Sequence, residues 1–178
     1  MSRKRRVTLI LSAVITFVVL AGFLIPENIT IPVKGASTAD WNKDTFWYEP
    51  WGASGVHKGI DIFAPADTPV VAATSGFVIF AGSLDLGGNT IAILGPKWRI
   101  HYYAHLQEIS TSWFSWVSTS DTLGSVGNSG NAKGKPTHLH YTILSPFPYP
   151  WRFDTDTQGW KKMFYLDPDQ RLRSGNGI

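Results

Sequence analysis

The sequence predicts a mainly β protein, a compact antiparallel sheet domain preceded by one transmembrane helix. Three observations lead there. Val7 to Ile25 runs for 19 residues without a charge. From Thr68 onward, short runs of β-branched and aromatic residues recur between Gly, Pro and Asn turn signals, the pattern of closely spaced strands. Of only five histidines, four fall in three short segments, His57 to Asp61, Tyr103 to Leu106 and His138 to His140, and that concentration points to one shared site.

The apolar run comes first. A helix of that length, at about 1.5 Å per residue, nearly matches a bilayer core of about 30 Å. Arg3, Lys4, Arg5 and Arg6 precede it and should stay in the cytoplasm, which places everything after Pro26 on the far side of the cytoplasmic (inner) membrane, periplasmic or otherwise extracytoplasmic. The run continues through Phe23, Leu24 and Ile25 without a clean small-x-small site after Ala21-Gly22, so residues 1–25 read as a basic flank and an uncleaved, single-pass signal anchor. Secretion after signal cleavage is the alternative. Residues 26–50 carry Pro26, Pro32, Gly35 and Pro50 without periodicity and read as a tether. Its aromatics Trp41, Phe46, Trp47 and Tyr48, with Trp51, are too many for a free linker and should pack on the domain or line its cleft.

Residues 51–178 suffice for one domain. Strands are expected over residues 68–73, 76–82, 89–94, 99–106, 124–127 and 137–144. The short turns between them imply consecutive antiparallel pairing, since parallel strands need long crossovers. One short helical piece fits around Glu108 to Trp116. Ser145 to Trp151, with alternating prolines, should run extended as a groove wall or a cover over a sheet edge. Trp160, Phe164, Tyr165 and Leu166 should pack back on the domain, with Arg171 to Ile178 fraying.

Composition removes several function classes. The net charge of +3 is concentrated toward the chain ends, leaving a nearly neutral body with no basic face for nucleic acid. The chain contains no cysteine, which excludes disulfides, thiol catalysis, cysteine-bound zinc and a lipid-anchored cysteine.

The histidine segments suggest a metal. His138 and His140 are two apart, so on a strand both project from one face while Leu139 packs on the other. His57 and Asp61 are four apart, and Gly55 and Gly59 disfavour a helix there, which makes this segment a loop running into a strand. Imidazole nitrogens with one carboxylate oxygen suit zinc, and three protein ligands with a position left for water is the arrangement of a catalytic centre. His101 would share a strand face with Tyr103 and His105, bordering the groove or half-exposed.

The series His57-Lys58-Gly59-Ile60-Asp61-Ile62-Phe63-Ala64-Pro65, Thr68-Pro69-Val70, Gly76-Phe77-Val78, Tyr103-Ala104-His105-Leu106, Gly124 to Gly130 and His138-Leu139-His140 resembles, in order and over about residues 55–144, the M23 (lysostaphin or LytM-type) zinc metallopeptidases. The resemblance implies a compact antiparallel sheet with a groove over one zinc ion, held by His57, Asp61 and His140, and makes His105 and His138 catalytic histidines that are not ligands. The chain departs from the family pattern at Ala66-Asp67, at Thr137 and at Tyr141-Thr142-Ile143, where an aromatic followed by glutamate is usual. None of these is a ligand or catalytic position.

What the resemblance implies is a zinc endopeptidase that hydrolyses peptide cross-links of bacterial peptidoglycan through a metal-activated water; the apolar run independently implies anchoring in the membrane by residues 7–25. Two alternatives stay open at this level. One is a catalytically silent module that binds the wall or activates another hydrolase, and the other is a zinc peptidase with a protein substrate.

Overall fold

The computed structural model describes residues 2–175. Helix α1, Arg3–Leu24, is opened by Ser2, whose side chain accepts from the Arg5 amide. It is long and apolar enough to cross a membrane, a test that a signal sequence also passes. Nearly all of its surface faces outward, and only Gly22 is buried.

The domain is built on a nine-stranded, wholly antiparallel sheet. In chain order the strands are β1 (Ile60–Phe63), β2 (Pro69–Val71), β3 (Gly76–Leu84), β4 (Gly88–Leu94), β5 (Ile100–Ile109), β6 (Trp116–Val117), β7 (Thr122–Val126), β8 (His138–Leu144) and β9 (Tyr165–Leu166). The spatial order is β1-β8-β5-β4-β3-β6, with β7 joining β5 to β2 and β9 lying on β8. Consecutive pairing therefore holds for β3, β4 and β5, and for β8 with β9 across a long connection. Turn signals reveal hairpins, whereas the β1–β8, β5–β8 and β2–β7 pairs join segments far apart in sequence. The helical piece expected around Glu108 to Trp116 does not form. Strand β5 continues to Ile109, and Trp116 pairs with Phe77 in β6.

Strand parity separates core from groove. On β8, Leu139, Tyr141 and Ile143 are buried in the core, and on β1 Ile60 and Ile62 join them. The alternate residues Asp61, Phe63, His138, His140 and Thr142 line the groove on the other face. Each fully buried Leu, Ile or Val contributes about 1.5–3 kcal/mol, and a one-residue slip would send this set to the wrong face. The sheet is thus held in the one register that presents the site.

The residues read as a tether are held on the domain. Ile29, Val33 and Trp41 are core residues. The Val71 amide donates to Pro32 O at 2.9 Å and the Lys34 amide to Pro69 O at 3.0 Å, so this segment closes the free edge of β2. Trp41 Nε1 donates to Asp169 Oδ1 at 2.7 Å, tying the segment to helix α2 (Pro168–Gly175), where Leu172 is buried. Arg171 to Gly175 are therefore helical where fraying was expected, and residues 176–178 lie outside the described residues.

Candidate metal centre

Asp61 and His140 are cross-strand partners on β1 and β8, and His57 sits in the loop before β1, as the glycines on either side of it suggest. The three converge. His57 Nε2 lies 3.1 Å from Asp61 Oδ1 and 3.0 Å from His140 Nδ1, and His140 Nδ1 lies 2.9 Å from the same carboxylate oxygen. Donors at about 2.0–2.1 Å from a tetrahedral zinc would stand about 3.3 Å apart, so this triangle needs only a slight opening to take an ion. Among the described residues, these three form a group able to hold a metal.

The other nitrogen of each ring shows which atoms face the centre. His57 Nδ1 is 3.0 Å from Thr45 O, and a carbonyl can only accept, so the proton sits on Nδ1 and Nε2 presents its lone pair inward. His140 Nε2 is 3.0 Å from Thr142 Oγ1. Donation to that hydroxyl leaves Nδ1 free. Protons are thus assigned from the network, and such outer partners orient and strengthen metal-binding imidazoles. Two lone pairs and a carboxylate pointed at one another call for a cation. Burial alone would raise the Asp61 carboxyl, but where a His140 or His57 N–H turns to it instead, the group is held well below the usual carboxylate range, so the oxygen stays ionised with or without a cation. Burial lowers the His140 imidazole, partly offset by Asp61. Both shifts favour the deprotonated ligand forms.

His105 and His138 stand across the same groove, their rings 5.1 Å apart. Their Nδ1 atoms are occupied by carbonyls, His105 by Ser129 O at 3.0 Å and His138 by Pro136 O at 2.8 Å. Each ring therefore turns Nε2 toward the cleft, and that of His138 lies 3.9 Å from Asp61 Oδ2. Burial and the neighbouring histidines push the His105 imidazole down to about 4, against a smaller opposing pull from Ser129 and Asp61. It is a neutral base across the physiological range.

His105 reaches the groove by a route that alternation does not foresee. Its φ is +65°, a left-handed conformation uncommon outside glycine, and the β4–β5 register shifts there. Up to Ala104 the strand pairs with β8, and from Leu106 it pairs with β7. The bulge reverses parity, so Tyr103 packs in the core while His105 lines the groove. His101 consequently shares the core face of Tyr103. It neither borders the groove nor lies half-exposed but is fully buried, with Nδ1 2.6 Å from Tyr141 OH and Nε2 3.3 Å from Glu27 Oε1. Arg99 completes this second cluster by pairing with Glu27 Oε2.

The groove, of about 710 Å³, also takes in residues that motif reading passed over or left undecided. Trp51 stacks on His57 with ring centres 4.1 Å apart and planes 20° from parallel, closing the outer side of the metal-binding ring. Thr142 is the outer partner of His140. Its place two residues along the same strand face was a usable signal. Tyr165 of β9 brings the C-terminal extension to the groove. Phe147 packs instead on Phe23 of α1.

The sequence model of Peptidase family M23 matches residues 55–147, just over half of the chain. The L-Ala--D-Glu endopeptidase of Bacillus subtilis is 32% identical over 140 residues, covering 71% of this chain and 42% of that protein. The peptidoglycan DD-endopeptidase ShyC of Vibrio cholerae is 33% identical over 88 residues, covering 49% of this chain and 20% of that protein. The chain thus spans less than half the length of these relatives. Lysostaphin from Staphylococcus simulans superposes with a TM-score of 0.60 over 85% of this chain and 55% of its own, at 21% identity, a likeness of fold. A sheet whose register brings two histidines and an aspartate to one point, and a family match that spans all five groove positions, lead to the same conclusion: the chain belongs to peptidase family M23.

Proposed function

We propose that the protein is a zinc-dependent endopeptidase that hydrolyses peptide cross-links of bacterial peptidoglycan, held in the cytoplasmic membrane by α1 with its domain on the extracytoplasmic side. The observation that supports it most is the convergence of His57 Nε2, Asp61 Oδ1 and His140 Nδ1 within 3.1 Å, opposite two further imidazoles. Zinc bound there would supply a water acidified toward a pKa of about 7 and a Lewis acid for the substrate carbonyl.

The chain's own residues do the rest. His57, Asp61 and His140 hold the ion. The Nε2 atoms of His105 and His138 take the proton released as water attacks, hydrogen-bond the oxygen on which charge develops, and return a proton to the leaving amine. Ser129 O and Pro136 O fix both rings in the tautomer these tasks need. Asp61 is the acidic residue among those lining the groove, whereas Lys58 and Lys135 are also there, a balance suited to stem peptides that carry carboxylates. The activities named for the relatives fit this reading.

Full-length protein in detergent should contain one zinc per chain and release muropeptides from purified sacculi, with mass analysis of the products identifying the bond cut. The reading fails if the protein takes up no metal and His140→Ala digests as well as wild type. A zinc-loaded protein that releases nothing would point to the silent module, and cleavage of unrelated polypeptides but not sacculi to a protein substrate.

A further inference from the structure

Helix α1 does not leave the domain freely. Val19, Gly22 and Phe23 form one helical face, and the domain covers it. Trp98 Nε1 donates to Val19 O at 2.9 Å. The Trp98 ring fills the space above Gly22, where an added Cβ would lie 2.3 Å from Cε2. The Phe147 ring meets Phe23 edge-on at 5.0 Å. Just past the helix, Glu27 is locked in the buried pair with Arg99, the neighbour of Trp98. The helix end and the aromatic tip are therefore fastened to each other on both sides of the turn at Ile25-Pro26.

Depth follows from length. Val19 lies five residues inside the C-terminal end of α1, about 8 Å along the axis. The 22 residues of the helix span about 33 Å, little more than a bilayer core. Arg3 to Arg6 carry charge, so the apolar part, Val7 to Leu24, spans about 27 Å, and the rings of Trp98 and Phe147, which meet Val19 and Phe23, reach to within about 8 Å of the acyl-headgroup boundary on its acyl side whenever the helix spans. Amphipathic aromatic rings favour that boundary.

We propose that the face carrying Trp98 and Phe147, both packed on α1, rests in the membrane–water interface, so that the peptidase domain is docked on the bilayer instead of swinging on a tether. This rests on the reading of α1 as a membrane span. Trp98 leads directly into β5, whose seventh residue onward from Trp98 is His105. A domain fastened at Trp98 therefore carries the groove at a fixed position relative to the end of α1.

The chain has no cysteine, so single spin labels report cleanly. Full-length protein in phosphatidylethanolamine–phosphatidylglycerol vesicles would carry a label at Val14→Cys in the helix, at Lys97→Cys or Pro148→Cys on the proposed face, or at Asp85→Cys in the β3–β4 turn at the opposite end of the sheet. The label at position 14 should meet oxygen far more often than a water-soluble nickel chelate. Labels at positions 97 and 148 should show an oxygen-to-nickel collision ratio several-fold above that at position 85. If position 14 reads as hydrocarbon while 97 and 148 match 85, docking is overturned and the span stands. If position 14 itself reads as aqueous, the span reading fails and docking with it. Strong dipolar broadening at position 148 would show a second copy on this face and also overturn docking.

Discussion

Asp61 and Glu27 both sit among histidines of one sheet, yet their surroundings differ in a way that separates a candidate metal-binding cluster from a charge-paired one. Asp61 has two imidazoles and no basic side chain against it, and it opens onto the groove. Glu27 has one imidazole and the Arg99 guanidinium, and every member is buried. Burial alone would raise the Glu27 carboxyl, but His101 and Arg99 hold it below its ordinary value. That pair is already charge-compensated, so it needs no ion and locks the segment after α1 to the start of β5. The Asp61 cluster turns one carboxylate and two imidazoles to a single point beside the groove, a donor set that a cation could fill.

The most severe way to break this contrast is Asp61→Ala. Metal content should fall from one ion per chain to near zero and sacculus digestion to background, while the Glu27 cluster keeps the fold. His138→Ala should keep its zinc by elemental analysis and lose about 10²–10⁴-fold in turnover. If the metal left as well, His138 would be a ligand and the division of roles would be wrong. Glu27→Ala should do the reverse. Arg99 is left buried without a partner, at a cost of about 3–5 kcal/mol read from the denaturant midpoint, with metal content and turnover per folded molecule retained. Thr142→Val removes the acceptor for His140 Nε2 and should weaken zinc affinity about 10–100-fold, measured by competition with a chelating dye.

The smallest effect is a pH dependence. In metal-free protein His105 is held at about 4 against an ordinary 6.5, so the unfolded chain binds a proton first as the pH falls. Stability is lost from about pH 6.5 down to about 4 and stays level below. His105→Gln should flatten that slope in denaturant titrations at several pH values, by an amount that solvent in the open groove keeps modest. No such flattening would mean that His105 is exposed enough to titrate normally.

These outcomes bear on what motif reading can see. That His57, Asp61, His138 and His140 would gather at one groove was legible because their spacing is local. His57 and Asp61 flank a loop-to-strand junction, and His138 and His140 share a face by strand parity. The central hairpins were legible because their turns are short and rich in glycine. His101 was misplaced because parity was carried through His105 unbroken, and nothing local announces a left-handed histidine that reverses a strand. Glu27 drew no notice because a lone acid in a proline-bearing segment looks solvated until Arg99 is folded over it.

The sequence by itself therefore determined an apolar helix, a set of short strands and the residue types of a candidate metal centre, since each depends on periodicity or composition over a few residues. Tertiary structure alone decided that β1 and β8 are neighbours, that Tyr103 and His105 face opposite ways, and that the segment after α1 is core. Those outcomes depend on hydrogen bonds and packing between residues tens of positions apart, as where His57 meets His140. Such contacts form only when the whole sheet closes in one register.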